Sequence, residues 1–81
     1  MNIDQIAVFK KICELGTLRA AAQEMRRTQP ALSASLKKLE TDLGFKLFDR
    51  SKYRPTLTPK GEHFLKGADE FLQSYQKLQE L

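Results

Sequence analysis

One cysteine, Cys13, and one histidine, His63, occur in the whole chain. A lone cysteine excludes an intramolecular disulfide and a cysteine-based zinc cluster, and a lone histidine excludes a histidine-rich metal site. Glycine is sparse: Gly16, Gly44, Gly61 and Gly67 stand apart, so there is no glycine-rich phosphate loop. No apolar run approaches the roughly 18–20 residues needed to span a bilayer. The opening Met1-Asn2-Ile3-Asp4-Gln5 lacks the basic-then-apolar layout of a signal peptide, which makes a cytoplasmic address the expectation. Without a nucleophile–base pair or a metal set, the chain reads as a binding module rather than an enzyme, and no cofactor is expected.

What is present is a short, soluble and regionally basic chain. Its 81 residues fit one small domain, which removes only about 60–65% of its unfolded surface from water. The composition, 41% hydrophobic and 30% charged, is that of a folded protein rather than a disordered one. The formal charge of +4 is unevenly spread. Residues 1–60 hold 12 Lys/Arg against 6 Asp/Glu, a net of +6, whereas residues 61–81 hold 2 against 4, a net of −2. Nine of the bases lie between Arg26 and Lys60, with 3 acids among them. A regional positive field of this kind fits an anionic partner such as nucleic acid.

Apolar spacing divides the chain into helices and a hairpin. Ile3, Ile6, Ala7, Phe9, Ile12 and Cys13 recur at helical intervals and predict a helix from Ile3 to Leu15, closed by Gly16. Thr17 offers a cap for a second helix, Leu18 to Met25, in which Ala21 and Ala22 permit close packing. Arg26-Arg27-Thr28 reads as a turn. Thr28 caps a third helix with Pro30 in its first turn, and Leu32, Leu36, Leu39 and Leu43 form its apolar stripe up to Gly44. Phe45 to Asp49 alternates as a strand, with Phe45, Leu47 and Asp49 on one side and Lys46 and Phe48 on the other. Residues 51–55 read as an exposed turn, and Thr56-Leu57-Thr58 as the returning strand.

Thr58, Pro59 and Glu62 open a last helix of about 23 residues and about 34 Å. Along it Phe64, Ala68, Phe71, Tyr75 and Leu78 repeat as a heptad seam over about two repeats, with Leu65 and Leu72 beside them. A core this small cannot cover so long a stripe, so the expected partner is the same helix of a second chain, through Phe64, Ala68, Phe71, Leu72, Tyr75 and Leu78. The fold expected is mainly α: a winged helix-turn-helix of three helices plus a two-stranded wing over residues 1–58, followed by a linker and dimerisation helix over 59–81.

A helix-turn-helix presents the start of its second helix to the major groove. On that reading the outward face runs through Thr28, Gln29, Pro30, Ala31, Ser33, Ala34 and Lys37. Gln29 can pair with adenine, Pro30 and Ala31 can touch a thymine methyl, and Thr28 or Ser33 can bond phosphate or base. Lys52 and Arg54 at the wing tip, and Arg50 at its base, can reach a flanking phosphate or a narrow minor groove. The plainer readings are that Thr28 and Gln29 only cap the helix, that the wing cations are a solvated turn, and that Lys37 and Lys38 are the wet side of the third helix rather than phosphate clamps. Cys13 reads as a buried helix residue, and His63 as exposed or interfacial.

Five segments together carry a resemblance: Thr17-Leu18-Arg19-Ala20-Ala21-Ala22, Thr28-Gln29-Pro30-Ala31-Leu32-Ser33, Leu39-Glu40-Thr41-Asp42-Leu43-Gly44, Leu47-Phe48-Asp49-Arg50 and Leu57-Thr58-Pro59-Lys60-Gly61. In order and spacing they resemble the amino-terminal domain of LysR-type transcriptional regulators, over nearly the whole chain. The resemblance implies a winged helix-turn-helix, a linker helix through which two chains dimerise, and DNA contacts at Gln29, Pro30, Ser33, Arg50 and Arg54. It also implies that the chain is the front end of a larger bacterial regulator whose missing domain senses a small-molecule effector. A tetramer is possible for the full-length parent.

Four positions depart from the family pattern. Ala34 and Ser35 stand where an arginine and a glutamine are usual, which removes a long cation from the recognition helix. Arg19 replaces a small hydroxyl residue and can supply a phosphate contact instead. Arg27 replaces a small apolar residue, its stem covering the turn and its charge reaching water. The partners expected are therefore double-stranded DNA and a second copy of the chain, with no membrane. The alternative is a winged-helix protein-interaction module that does not bind DNA and docks through its acidic, apolar last helix.

Overall fold

A computed structural model describes residues 1–51 and 54–81. Three helices come first: α1 (Ile3–Leu15), α2 (Leu18–Met25) and α3 (Gln29–Leu43). Each begins on a side chain that takes up an N–H the helix itself leaves unpaired. Asn2 Oδ1 accepts from the Gln5 N–H while Gln5 Oε1 accepts from the Asn2 N–H, a reciprocal capping box. Thr17 and Thr28 cap α2 and α3 through their hydroxyls. Gly16 and Gly44 close α1 and α3 at φ of 85° and 82°, the left-handed conformation a side chain would resist.

The three helices pack around Val8, Phe9, Ile12, Ala21, Leu32, Leu36 and Leu39, all essentially without exposure. Val8 joins this core although it stood outside the expected stripe, because α1 meets α2 and α3 on one side and a later helix on another. Cys13 is half-buried rather than buried.

The wing is shorter than its sequence suggests. Strand β1 (Phe48–Asp49) pairs antiparallel with β2 (Thr56–Leu57), Phe48 opposite Leu57 and Asp49 opposite Thr56. The expected strand from Phe45, with Leu47 and Phe48 on opposite faces, does not form. Leu47 and Phe48 are consecutive and both buried, Phe48 meeting Phe9 in a tilted ring contact at 5.4 Å between centroids. Strict alternation fails because the segment runs as an irregular strap into the core before pairing begins.

Helix α4 (Pro59–Gln79) starts on the Thr58 cap and extends along the molecule, whose longest dimension is 42 Å. Its first half is part of the core. Phe64 meets Phe9 edge-on at 5.2 Å, Ala68 is buried, and Leu65 and Leu72 pack against the same cluster. Lys10 of α1 pairs with Asp69 of α4, and that hydrogen bond raises the Lys10 pKa. Gly61 sits so close to the Leu47 carbonyl that a β-carbon there would lie 2.1 Å from its oxygen, so only glycine fits.

Candidate nucleic-acid interface

The start of α3 is built for display. Thr28 is extended and its Oγ1 accepts from the Ala31 N–H at 3.2 Å, which aims the first turn away from the core. Leu32, Leu36 and Leu39 hold the opposite stripe inside, so Gln29, Pro30, Ala31, Ala34 and Lys37 are exposed and Ser33 half-exposed. Gln29, Ser33 and Lys37 follow one another at intervals of four and share one row on the helix surface. That row joins an amide, a hydroxyl and a cation, the groups that read base edges and bind phosphate.

The turn before α3 is fixed by two adjacent arginines. Arg26 ends α2 in the left-handed conformation at φ 57°, the one non-glycine residue with positive φ among the described residues. Its N–H and that of Arg27 both return to α2, the latter to the Ala22 carbonyl at 2.9 Å. The Arg27 guanidinium forks onto Asp4 of α1, with bonds of 2.9 and 2.8 Å. The fork holds the Asp4 carboxyl below the usual carboxylate range and raises Arg27. Arg27 is therefore engaged by a carboxylate across the turn and does not simply extend into water.

Two further cations lie near the α1–α2 junction. Arg19 is exposed in the first turn of α2. Arg54, arriving from the wing, brings its guanidinium to 3.4 Å from the position of a β-carbon on Gly16, just before the Thr17 cap of α2. Arg50 is exposed at the wing's base. Lys52, expected at the wing tip, lies outside the described residues.

The stripe expected to dimerise divides in two. Phe64, Ala68 and Leu72 pack on the chain's own core. Phe71, Tyr75 and Leu78 are 45, 41 and 67% exposed, the two rings 6.5 Å apart. Beside them, Met1, Ile3 and Ile6 of the opening segment and Phe64, Ala68 and Phe71 of α4 line an open apolar hollow.

One group that shapes the site escaped the sequence reading. Glu40 of α3 is 6% exposed, and its Oε2 accepts from the N–H groups of Leu47 and Phe48 at 2.7 and 3.4 Å. The signal was available: Glu40 stands four residues after Leu36 and eight after Leu32, on the buried row. Elsewhere, burial pushes the Cys13 thiol up to about 11, which leaves it a poor nucleophile at neutral pH. Among the described residues no group of three or more acidic, histidine or cysteine side chains is placed to hold a metal. Among them, too, no helix is long and apolar enough to cross a membrane.

Residues 3–62 match the family model described as "Bacterial regulatory helix-turn-helix protein, lysR family". The chain belongs to the LysR family. The HTH-type transcriptional regulator BsdA of Bacillus subtilis (strain 168) is 42% identical over 77 residues, which cover 94% of this chain and 27% of that protein. The first three curated relatives are each spanned over only 23–34% of their length. They are transcriptional regulators rather than enzymes. Two solved complexes of DNA-binding domains with DNA superpose closely. BenM_DBD on its catB site 1 gives a TM-score of 0.95 at 26% identity, covering 99% of this chain and 90% of that one. The CbnR_DBD–DNA complex gives 0.92 at 31% identity, with 99% and 92% covered. The winged helix-turn-helix followed by a long helix is thus the LysR-type DNA-binding architecture.

Proposed function

We propose that the chain binds double-stranded DNA sequence-specifically, as the DNA-reading unit of a dimeric bacterial LysR-type transcriptional regulator. The observation that carries this reading is the exposed Gln29–Ser33–Lys37 row at the start of α3, backed by a fully buried leucine stripe. The likeness to LysR-family domains solved on DNA supports it. The α3 row enters the major groove, with Thr28, Pro30, Ala31 and Ala34 at its edges. Arg50, Lys52 and Arg54 of the wing reach the flanking minor groove or its phosphates, and Arg19 adds a phosphate contact at α2. Residues 1–58 form the reading head. Residues 59–81 pair two heads through Phe71, Tyr75 and Leu78, with Leu72, Ala68 and Phe64 beneath, and effector sensing belongs to residues outside this chain. A chromosomal target makes the address cytoplasmic.

The test is affinity for a duplex selected from random DNA, measured at two salt concentrations. Binding weakens steeply with salt because neutralised phosphates release counterions. Gln29→Ala loses about tenfold and relaxes the preference at one base, while Arg54→Ala weakens all sequences alike and lowers the salt slope. Salt-independent binding, or full affinity in both variants, overturns the proposal.

A further inference from the structure

The segment from Phe45 to Leu47, which joins α3 to the wing, lies outside helix and strand, so its polar groups need partners elsewhere. They find them on opposite sides. The N–H groups of Leu47 and Phe48 point to α3 and converge on Glu40 Oε2. The carbonyls point to α4: that of Leu47 accepts from the Thr58 N–H at 3.0 Å, and that of Lys46 from the Thr58 hydroxyl at 2.7 Å. The second carboxylate oxygen, Oε1, lies 4.0 Å from the Lys46 ammonium, which is itself largely in water. A buried carboxylate held by two backbone donors and a nearby cation is a strong, directional anchor. Phe48, the first residue of β1, is one of those donors, so the wing begins where Glu40 places it.

We propose that Glu40 is a positioning residue for DNA reading: its carboxylate, fixed on the recognition helix, sets where the wing carries Arg50 and Arg54. The inference rests on the DNA-binding reading above. Gln29 and Ser33 sit on the same helix as Glu40 and keep their geometry whatever becomes of the strap. Arg50 follows β1 directly, and Arg54 precedes β2, which pairs with β1 and is tied at its far end to the strap carbonyls through Thr58. Losing the anchor therefore detaches wing binding from major-groove binding while leaving the latter in place. Truncation also leaves two buried N–H groups unpaired, which favours movement of the strap towards water.

A double-mutant cycle on duplex binding tests this, with folding of every variant checked by circular dichroism. In the wild-type chain Arg54→Ala weakens binding about tenfold, and in the Glu40→Ala background by less than about twofold, while Gln29→Ala has the same effect in both. Glu40→Gln keeps an acceptor oxygen within reach of Leu47 and preserves the Arg54 effect. Glu40→Asp keeps the charge, falls one methylene short, and loses the Arg54 effect; it gives the reading if Glu40→Ala is unfolded. An undiminished Arg54 effect in folded Glu40→Ala or Glu40→Asp overturns the role of Glu40 alone. Loss in Glu40→Gln equal to that in Glu40→Asp overturns the acceptor mechanism. No effect of Arg54→Ala in the wild-type chain overturns the wing's part in DNA binding, and Glu40's role with it.

Discussion

Helices α3 and α4 begin alike and end differently. Each starts on a threonine cap with proline in its first turn, and each buries one apolar row against α1. Past that shared design, α3 shows solvent an amide, a hydroxyl and two lysines, whereas α4 shows Phe71, Tyr75 and Leu78. Their surroundings diverge as well: net positive from Arg26 to Lys60, net negative from Gly61 onward. The local code for starting a helix thus carries no information about its partner. On the proposed reading, the partner is written in the row that the core leaves uncovered: polar and cationic for a phosphate-lined groove, apolar for another helix.

The comparison can be broken hardest at the joint between the two helices. Gly61→Ala drives a β-carbon into the Leu47 backbone and is expected to destabilise the chain by about 3 kcal/mol, since neither backbone can give way cheaply. Gly67→Ala, six residues along the same helix with open space around it, is expected to stabilise by about 0.5–1 kcal/mol. Urea unfolding of both variants checks the pair, and similar midpoints refute the close approach. A smaller effect is expected at the uncovered row of α4. Phe71→Asp should raise the dimer dissociation constant at least about tenfold in sedimentation while leaving the head's helicity intact. Phe64→Ala, by contrast, should register in unfolding, because that ring packs on Phe9.

The smallest effect lies in the head, at the Arg27–Asp4 fork. Asp4 titrates below its ordinary value in the folded chain, so its pairing stabilises the fold above roughly pH 3.9, the unfolded value, and is lost as pH falls through the lowered folded value. Thermal midpoints of the wild type and Arg27→Ala should therefore differ slightly at neutral pH and converge in acid. A difference that persists after Asp4 is protonated would assign the effect to packing of the arginine stem.

The helices were legible because their ends are chemically marked. Thr17, Thr28 and Thr58 start them, Gly16 and Gly44 stop two of them, and the bounds of the first three fall where those residues put them. The wing was legible as a hairpin but not in its length: alternation is a rule for a strand with a wet face, and the Leu47–Phe48 strap has none. Arg26 carries no sign of its left-handed backbone, since a charged residue with a β-carbon is a poor guess for that conformation. The heptad seam was legible as a period but not as a division of labour. Spacing puts Phe64 and Ala68 in line with Phe71 and Tyr75, and only the tertiary fold decides that the first two are already covered. For the candidate site, the exposure of the α3 row is legible residue by residue, while Glu40, although it stands on the leucine row, carries a charge that argues against burial until its backbone donors are seen.

The contact between Gly61 and Leu47 also makes α4 a lever. Its fulcrum lies within one turn of its start, pinned by the Leu47 carbonyl and the Thr58 cap, and the helix runs on from Gly61 to Gln79. At the usual helical rise that is an arm of about 27 Å, so a tilt of roughly 10° at the fulcrum swings the far end by about 5 Å. Two heads yoked by such arms would transmit any loosening at the fulcrum to the distance between their reading helices. DNA fixes that distance in advance, with successive major-groove faces about 34 Å apart. In the proposed dimer, a glycine with no side chain at all would thus be the bearing on which the gauge of the pair is set.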